Sequence, residues 1–385
     1  MKIGILFVGN PNAKNGASKV VKEIYENFII NSKIKVVNLY SSNIGSITTH
    51  RKNKNLKRNF EIKKLLEKNY LFNIISIYLQ YFRNGRKAVK NYLLNSKKDE
   101  DVLLFHDIFS IFYYYKFVKK AKKSVLVIHS NGDTWKMLLT YFPKVKNTLF
   151  EKYLRKIEKQ ILLRVEKIIF VSDASKSLFL KLYPFIDPQK VKVIHNGIED
   201  KSNYKIVKNK ENYNLICVAT INERKGQDII VSAYENLEES LKSRLTITFA
   251  GDGPGREKLE NAVRKKELKK ITFLGSIDNV GEQLRKNDIY ILMSYDEGLP
   301  IAIIEALREG LPIISTNVGG IPELVKDRCN GFLLSPNKNE LKVLFKDILS
   351  GKFNIEELSE NSRKLFEKKY ITEKMIERYI YELNG

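Results

Sequence analysis

The sequence predicts an α/β protein made of two doubly wound parallel sheets, one per domain. Three observations predict this. Short Val-, Ile- and Leu-rich runs alternate with helical patterns along the whole chain, as in strands covered on both faces by crossing helices. At 385 residues the chain is too long for one core, since ~150 residues per domain gives two. A polar stretch without periodicity, IEDKSNYKIVKNKENYN (198–214), separates two sets of strands and reads as a linker.

In the first half, strands are expected at KIGILFV (2–8), KVVNLY (35–40), VLLFHD (102–107), SVLVIHS (124–130), KIIFVS (167–172) and VKVIHNG (191–197). Helical patterns between them include GASKVVKEIYENFI (16–29) and 149–167. In the second half, strands are expected at NLICVAT (214–220), LTITFAG (245–251), ITFLG (271–275), IYILMS (289–294) and LPIISTN (311–317). Helices there include 227–236, GREKLENAVRKK (255–266) and LPIAIIEALREG (299–310). The end, KLFEKKYITEKMIERYIYELNG (364–385), reads as an aromatic amphipathic helix. The expected domains are 1–197 and 198–366, with 367–385 packing back on the first.

A hydrophobic fraction of 43% excludes a disordered chain. Cys217 and Cys329 have neither metal-ligand nor redox spacing and are expected to be reduced thiols of a cytoplasmic protein. The opening MKIGILFVGN reads as a first strand, not a signal peptide, and no window approaches the ~18 apolar residues of a membrane span. The net charge of +24 is uneven: residues 1–195 hold 38 Lys and Arg against 14 Asp and Glu, while 196–385 are balanced. The basic half is open to anionic lipid, nucleic acid or an anionic substrate.

In SYDEGLPIAIIEAL (294–307), Glu297 stands just before a helix start and Glu305 about two turns inside it. Pro300 fits the first turn, and Gly298 lets backbone approach a ligand. A helix N-terminus suits phosphate; carboxylates beside it suit sugar hydroxyls. The plain alternative is a dipole-favoured glutamate plus an incidental charge. Arg224 and Lys225 in INERKGQD (221–228) follow a strand, where ligands bind in open α/β sheets, and are either a diphosphate clamp or a solvated pair. Gly251, Gly253 and Gly255 form a tight turn without the dinucleotide spacing. Gly16 and Ala17 open a helix in a stretch that lacks the P-loop spacing. His129 ends a strand and is either a site residue or structural; His50, His106 and His195 have weaker claims. The triplet at 99–101 reads as a solvated turn, and no histidine pair has metal-ligand spacing. Residues 50–90 are basic around an aromatic core, either a lipid-facing surface or ordinary helices with a solvated face, and carry no nucleic-acid motif.

In order along the chain, these pieces resemble the family 4 glycosyltransferases of bacterial polysaccharide and capsule synthesis. EGLPIAIIE looks like their E-x7-E motif. Lys225-Gly226, GDGPGR, FLG (273–275), EALREGLPIISTNVGG and NGFL (330–333) look like donor-domain landmarks, and FVSDASK and VIHNGI like those before the linker. The resemblance implies the GT-B fold, two Rossmann-like domains facing each other across a cleft. It implies retaining transfer of a hexose or N-acetylhexosamine from a nucleotide sugar, taken as UDP-linked, to a glycan or lipid-linked acceptor, with no metal or other cofactor. By position, Glu305 would bond the ribose, and Glu297 the donor sugar. Arg224 and Lys225 would stabilise the diphosphate, and His129 would lie near sugar and acceptor. Gly298, Leu299, Gly16, Ala17, Gly251, Gly253 and Gly275 would line the donor. The chain departs from the family at Thr220, where an arginine is usual, at Ala17, where a second glycine is usual, and at His195, where a proline is usual. The expected partners are donor, acceptor and an anionic membrane surface, but not nucleic acid. The other readings are a different GT-B enzyme, such as an epimerase or phosphorylase, or a non-catalytic sugar- or nucleic-acid-binding protein.

Overall fold

The computed structural model describes residues 1–13, 15–42 and 69–384. The chain folds as two compact units: Met1–Ile194 with the chain from Ile376 onward, and His195–Met375.

The first unit holds a parallel sheet of β1 (Lys2–Phe7), β2 (Val36–Ser41), β3 (Val102–Phe105), β4 (Lys123–Ile128), β5 (Lys167–Phe170) and β6 (Val191–Val193). Its order among the described residues is β2-β1-β3-β4-β5-β6. Every residue of β3 is buried, as expected of a strand covered on both faces. The helices Tyr70–Ile77 and Arg83–Asn95 are joined by a π-helical turn, Tyr78–Phe82. They pack their inner faces on an aromatic cluster that includes Phe82, Phe109, Trp135 and Phe142. Each such side chain contributes about 1.5–3 kcal/mol by leaving water. Of the basic stretch 50–90, residues 50–68, with His50, lie outside the described residues.

The triplet at 99–101 is more than a solvated turn. Asp99 pairs with Lys2, and Asp101 accepts from the Lys2 backbone N–H. Glu100 is buried and accepts from Tyr40, Tyr92 and Ser96. Three hydroxyls make burial of that carboxylate tolerable.

The second unit repeats the design with β7 (Tyr213–Val218), β8 (Leu245–Ala250), β9 (Ile271–Gly275), β10 (Ile289–Leu292), β11 (Ile313–Thr316) and β12 (Gly331–Leu334). The order is β12-β11-β10-β7-β8-β9, again parallel. The polar stretch 198–214 is anchored on this unit, where the Val207 N–H donates to Ser359 Oγ. The segment expected as one helix at 364–385 is two, Ile355–Lys369 and Thr372–Asn384. Between them, Ile198 takes both backbone bonds, donating to Tyr370 O at 3.0 Å and accepting from the Thr372 N–H at 3.1 Å. The part of the last helix within the first unit is held by Lys123, which donates to Leu383 O, and by Phe28, edge-on to Tyr379.

Candidate active site

The chain leaves β7 in one direction, to β8 and β9, then returns to β7's other side for β10, β11 and β12. The strand order therefore switches between β7 and β10, and the crevice past their C-terminal ends is where open α/β sheets bind ligands. The loop after β7 carries Arg224 and Lys225, and the loop after β10 carries Glu297.

These three side chains meet. Lys225 Nζ lies 2.5 Å from Glu297 Oε1, and Arg224 Nη1 lies 3.4 Å from Glu297 Oε2. Ser294 Oγ donates to Oε1 at 2.7 Å. Arg224 also donates to Asp296 O, and its carbonyl accepts from the Tyr295 N–H at 2.9 Å. Glu297 is only 6% exposed. Burial would push its carboxyl up, but Lys225 and then Arg224 outweigh burial and hold it below the ordinary carboxylate value. The carboxylate is therefore ionised at neutral pH, and Oε2 keeps lone-pair capacity for a further donor such as a hydroxyl.

Two glycines make this approach possible. Gly226 has φ +63°, and a Cβ there would stand 2.0 Å from Met293 O. Gly319 has φ +53°, and its Cβ would stand 1.8 Å from Glu297 O. Neither was expected among the site residues; Gly226 follows the short helical turn Glu223–Lys225, and Gly319 lies three residues past β11. Nor were Ser294 and Tyr290 expected there; the buried Tyr290 hydroxyl donates to Val218 O at 3.2 Å and is pushed well up by burial, then by Cys217, Glu297 and Glu305.

Glu305 lies on the helix Ile301–Arg308, buried like Glu297. Pro300 is that helix's cap residue, with ψ 116°, rather than its first helical residue. Leu299 is buried and its carbonyl accepts from Asn196 Nδ2; the Gly298 carbonyl accepts from the Gly320 N–H. Gly251 and Gly253 pack their Cα atoms against the carbonyls of Ala219 and Ile221, so the turn after β8 lies on the loop after β7. The Gly251 N–H in turn donates to Gly275 O at 2.7 Å. Thr220 is exposed, and its carbonyl accepts from Gln227 Nε2.

The remaining candidates sit in the first unit. Gly16 and Ala17 begin the helix Gly16–Ile30, capped by Asn15, whose Oδ1 accepts from the Ser18 N–H at 2.9 Å. His129 follows β4, and His106 follows β3 beside it. Their rings lie near-parallel, 18° between planes with centroids 5.2 Å apart, and meet edge to edge, His106 Nδ1 lying 2.9 Å from His129 Nε2. Burial pushes the His129 imidazole down to about 4, and burial and His129 hold His106 well below its usual value. His195, in the second unit, bonds Glu323 at 2.7 Å. Cys217 is buried and Cys329 exposed, and neither is in a disulfide.

Residues 199–365 match the family model described as glycosyl transferases group 1, and residues 54–202 match that described as glycosyltransferase family 4. The chain belongs to the family 4 glycosyltransferases and is a glycosyltransferase. It is 28% identical over 366 residues to an uncharacterized glycosyltransferase of Methanocaldococcus jannaschii, covering 91% of this chain and 98% of that one. It is also 28% identical over 267 residues to the UDP-Gal:alpha-D-GlcNAc-diphosphoundecaprenol alpha-1,3-galactosyltransferase of Escherichia coli, covering 62% of this chain and 69% of that one. Anabaena HepE, solved in complex with UDP-glucose, superposes with a TM-score of 0.70 at 17% identity, over 100% of this chain and 99% of that one. At that identity the likeness shows the fold, the GT-B class with two parallel-sheet α/β domains.

Proposed function

We propose that this glycosyltransferase moves a hexose or N-acetylhexosamine, with retention and without a metal ion, from a UDP-sugar to a glycan on a lipid diphosphate during cell-surface polysaccharide synthesis. The observation that carries the mechanism is the buried contact of Lys225 and Arg224 with Glu297 at the switch point of the second sheet. Departure of a nucleoside diphosphate builds negative charge, and cations already fixed in a partly dry crevice stabilise it without reorganising. Glu297 holds the two cations in place and offers Oε2 to a donor-sugar hydroxyl. Glu305 accepts from the ribose. Arg224 takes the place of the arginine that the family usually has at Thr220. UDP as the carrier is supported by the diphosphoundecaprenol-acting relative and the UDP-glucose complex of HepE. The test is turnover of UDP-sugars with and without a chelator. Release of UDP undiminished by chelation is expected; a requirement for divalent cation would refute the metal-free reading.

The proposed place of work is the inner face of the cell membrane. No helix among the described residues is long and apolar enough to cross a membrane. The first unit carries an open groove of about 430 Å³, lined by Tyr78, Phe82, Tyr113, Phe117 and Tyr153 with Arg86 and Lys116. Tyr78 and Tyr153 are each 47% exposed. Aromatic rings flanked by cations suit an anionic lipid surface, where the body of the ring is apolar and the rim is wet. Co-sedimentation with vesicles should rise with anionic lipid and fall with salt. Binding indifferent to both would remove the membrane from the reading.

A further inference from the structure

We infer that His106 is a positioning residue: it donates its Nδ1 proton to His129 Nε2 and thereby fixes His129 as the tautomer whose Nδ1 carries a proton to offer to substrate. The inference rests on the reading of His129 as a residue near the sugar.

Burial holds both rings in the neutral form at physiological pH, so each carries one N–H. One hydrogen bond joins them, and either ring can donate it. His106 Nε2 decides between the two arrangements. It is buried and has no hydrogen-bond partner. If His129 donated, the proton of His106 would sit on that Nε2, an N–H sealed from water and from any acceptor. If His106 donates, Nε2 is a bare lone pair. Orphaned buried N–H groups are the rarer and more costly defect, so the second arrangement is favoured.

Other groups do not upset the choice. Asp107, next in the chain, is occupied elsewhere: Oδ2 accepts from the Val8 N–H at 2.8 Å and from Ser110 Oγ at 2.8 Å, while Oδ1 accepts from the Ser110 N–H at 2.6 Å. Its carboxylate caps the helix Ile108–Phe117 and ties the loop after β1 to the loop after β3. Phe7 meets the His106 ring edge-on and offers no lone pair. The consequence falls on His129. Its Nε2 accepts, its proton is on Nδ1, and that nitrogen has no hydrogen-bond partner among the described residues. A neutral imidazole in this state is a donor to a substrate oxygen and not a base.

The Nδ1–H form is the minor tautomer of a free histidine side chain, so finding it on both rings would not arise by default. The protein has four histidines, few enough for ¹⁵N-histidine labelling with long-range ¹H–¹⁵N spectra assigned by single substitutions. For the wild-type protein we expect Nδ1 protonated and Nε2 bare on both His106 and His129. A proton on Nε2 of either ring overturns the inference whatever the activity. The variant His106→Phe keeps a buried aromatic ring without the donor and should lower kcat for UDP release about tenfold. His106→Asn places an amide N–H near the position of Nδ1 and should restore kcat to within about twofold. Equal losses in the two variants, or none in His106→Phe, would also overturn it. A wild-type protein that releases no UDP from any UDP-sugar would instead refute the donor assignment, and the spectra would still decide the tautomer.

Discussion

The Lys225 ammonium lies 2.5 Å from the Glu297 carboxylate although 72 residues separate them in the chain. The contact joins the loops after β7 and β10, and both partners are mostly shielded from water. An ion pair of this kind is weak evidence for stability, because desolvation offsets much of the attraction. Its placement at the switch point is what the proposed catalytic role rests on. Lys225→Ala and Glu297→Ala are each expected to cut turnover at least about a hundredfold, the loss of ~3 kcal/mol of transition-state stabilisation. Steady-state rates, normalised to the folded fraction by circular dichroism, check this. Near-normal turnover in either variant would contradict it.

In the proposed function Glu305 accepts from the ribose. Glu305→Ala should weaken UDP about tenfold, near 1.4 kcal/mol, the scale of a charge-assisted hydrogen bond. Calorimetric titration with UDP reads this directly. Unchanged affinity would move the ribose elsewhere.

Gly319 is a backbone requirement of the site. Gly319→Ala would bring Cβ to 1.8 Å from Glu297 O at a φ of +53°. The left-handed strain alone costs about 1–3 kcal/mol, and the clash must displace the backbone of Glu297. Urea unfolding should show a loss of about 2 kcal/mol or more. Turnover should fall even where the variant is folded.

The histidine pair makes stability depend on pH. Unfolded, each ring takes a proton near 6.5; folded, His129 does so only near 4, and burial, then His129, holds His106 well below its usual value. Between these values the unfolded chain binds more protons, so stability falls as pH drops from about 6.5 towards 4. The slope from one such ring is at most about 1.4 kcal/mol per pH unit. Urea midpoints at pH 7.5 and 5.0 should differ more for wild type than for a variant carrying both His106→Phe and His129→Phe.

Much of this was legible in the sequence because parallel strands leave a strong local trace. Eleven strand runs were expected, and each coincides with an observed strand to within a few residues. The strand Gly331–Leu334 escaped because, unlike the equally short β3, β10 and β11, half of it is only partly buried. The break at Tyr370 escaped because it is set by Ile198, far away in the chain, which substitutes for helical hydrogen bonds. At the candidate site, Glu297, Arg224 and Lys225 were marked by their motif. Ser294, Gly226 and Gly319 were not, since their importance lies in which carbonyl or carboxylate they face. His106 was underrated for the same reason: its partner is on the neighbouring strand, 23 residues on.

In the proposed function, cations of the protein, and not a metal, hold the donor diphosphate. The most direct measurement is calorimetric titration of wild type and Lys225→Ala with UDP and with uridine, all in excess chelator. Wild type is expected to bind UDP, Lys225→Ala to lose at least tenfold for UDP, and uridine binding to be unaffected. UDP binding that needs a divalent cation, or that is indifferent to Lys225, would contradict it.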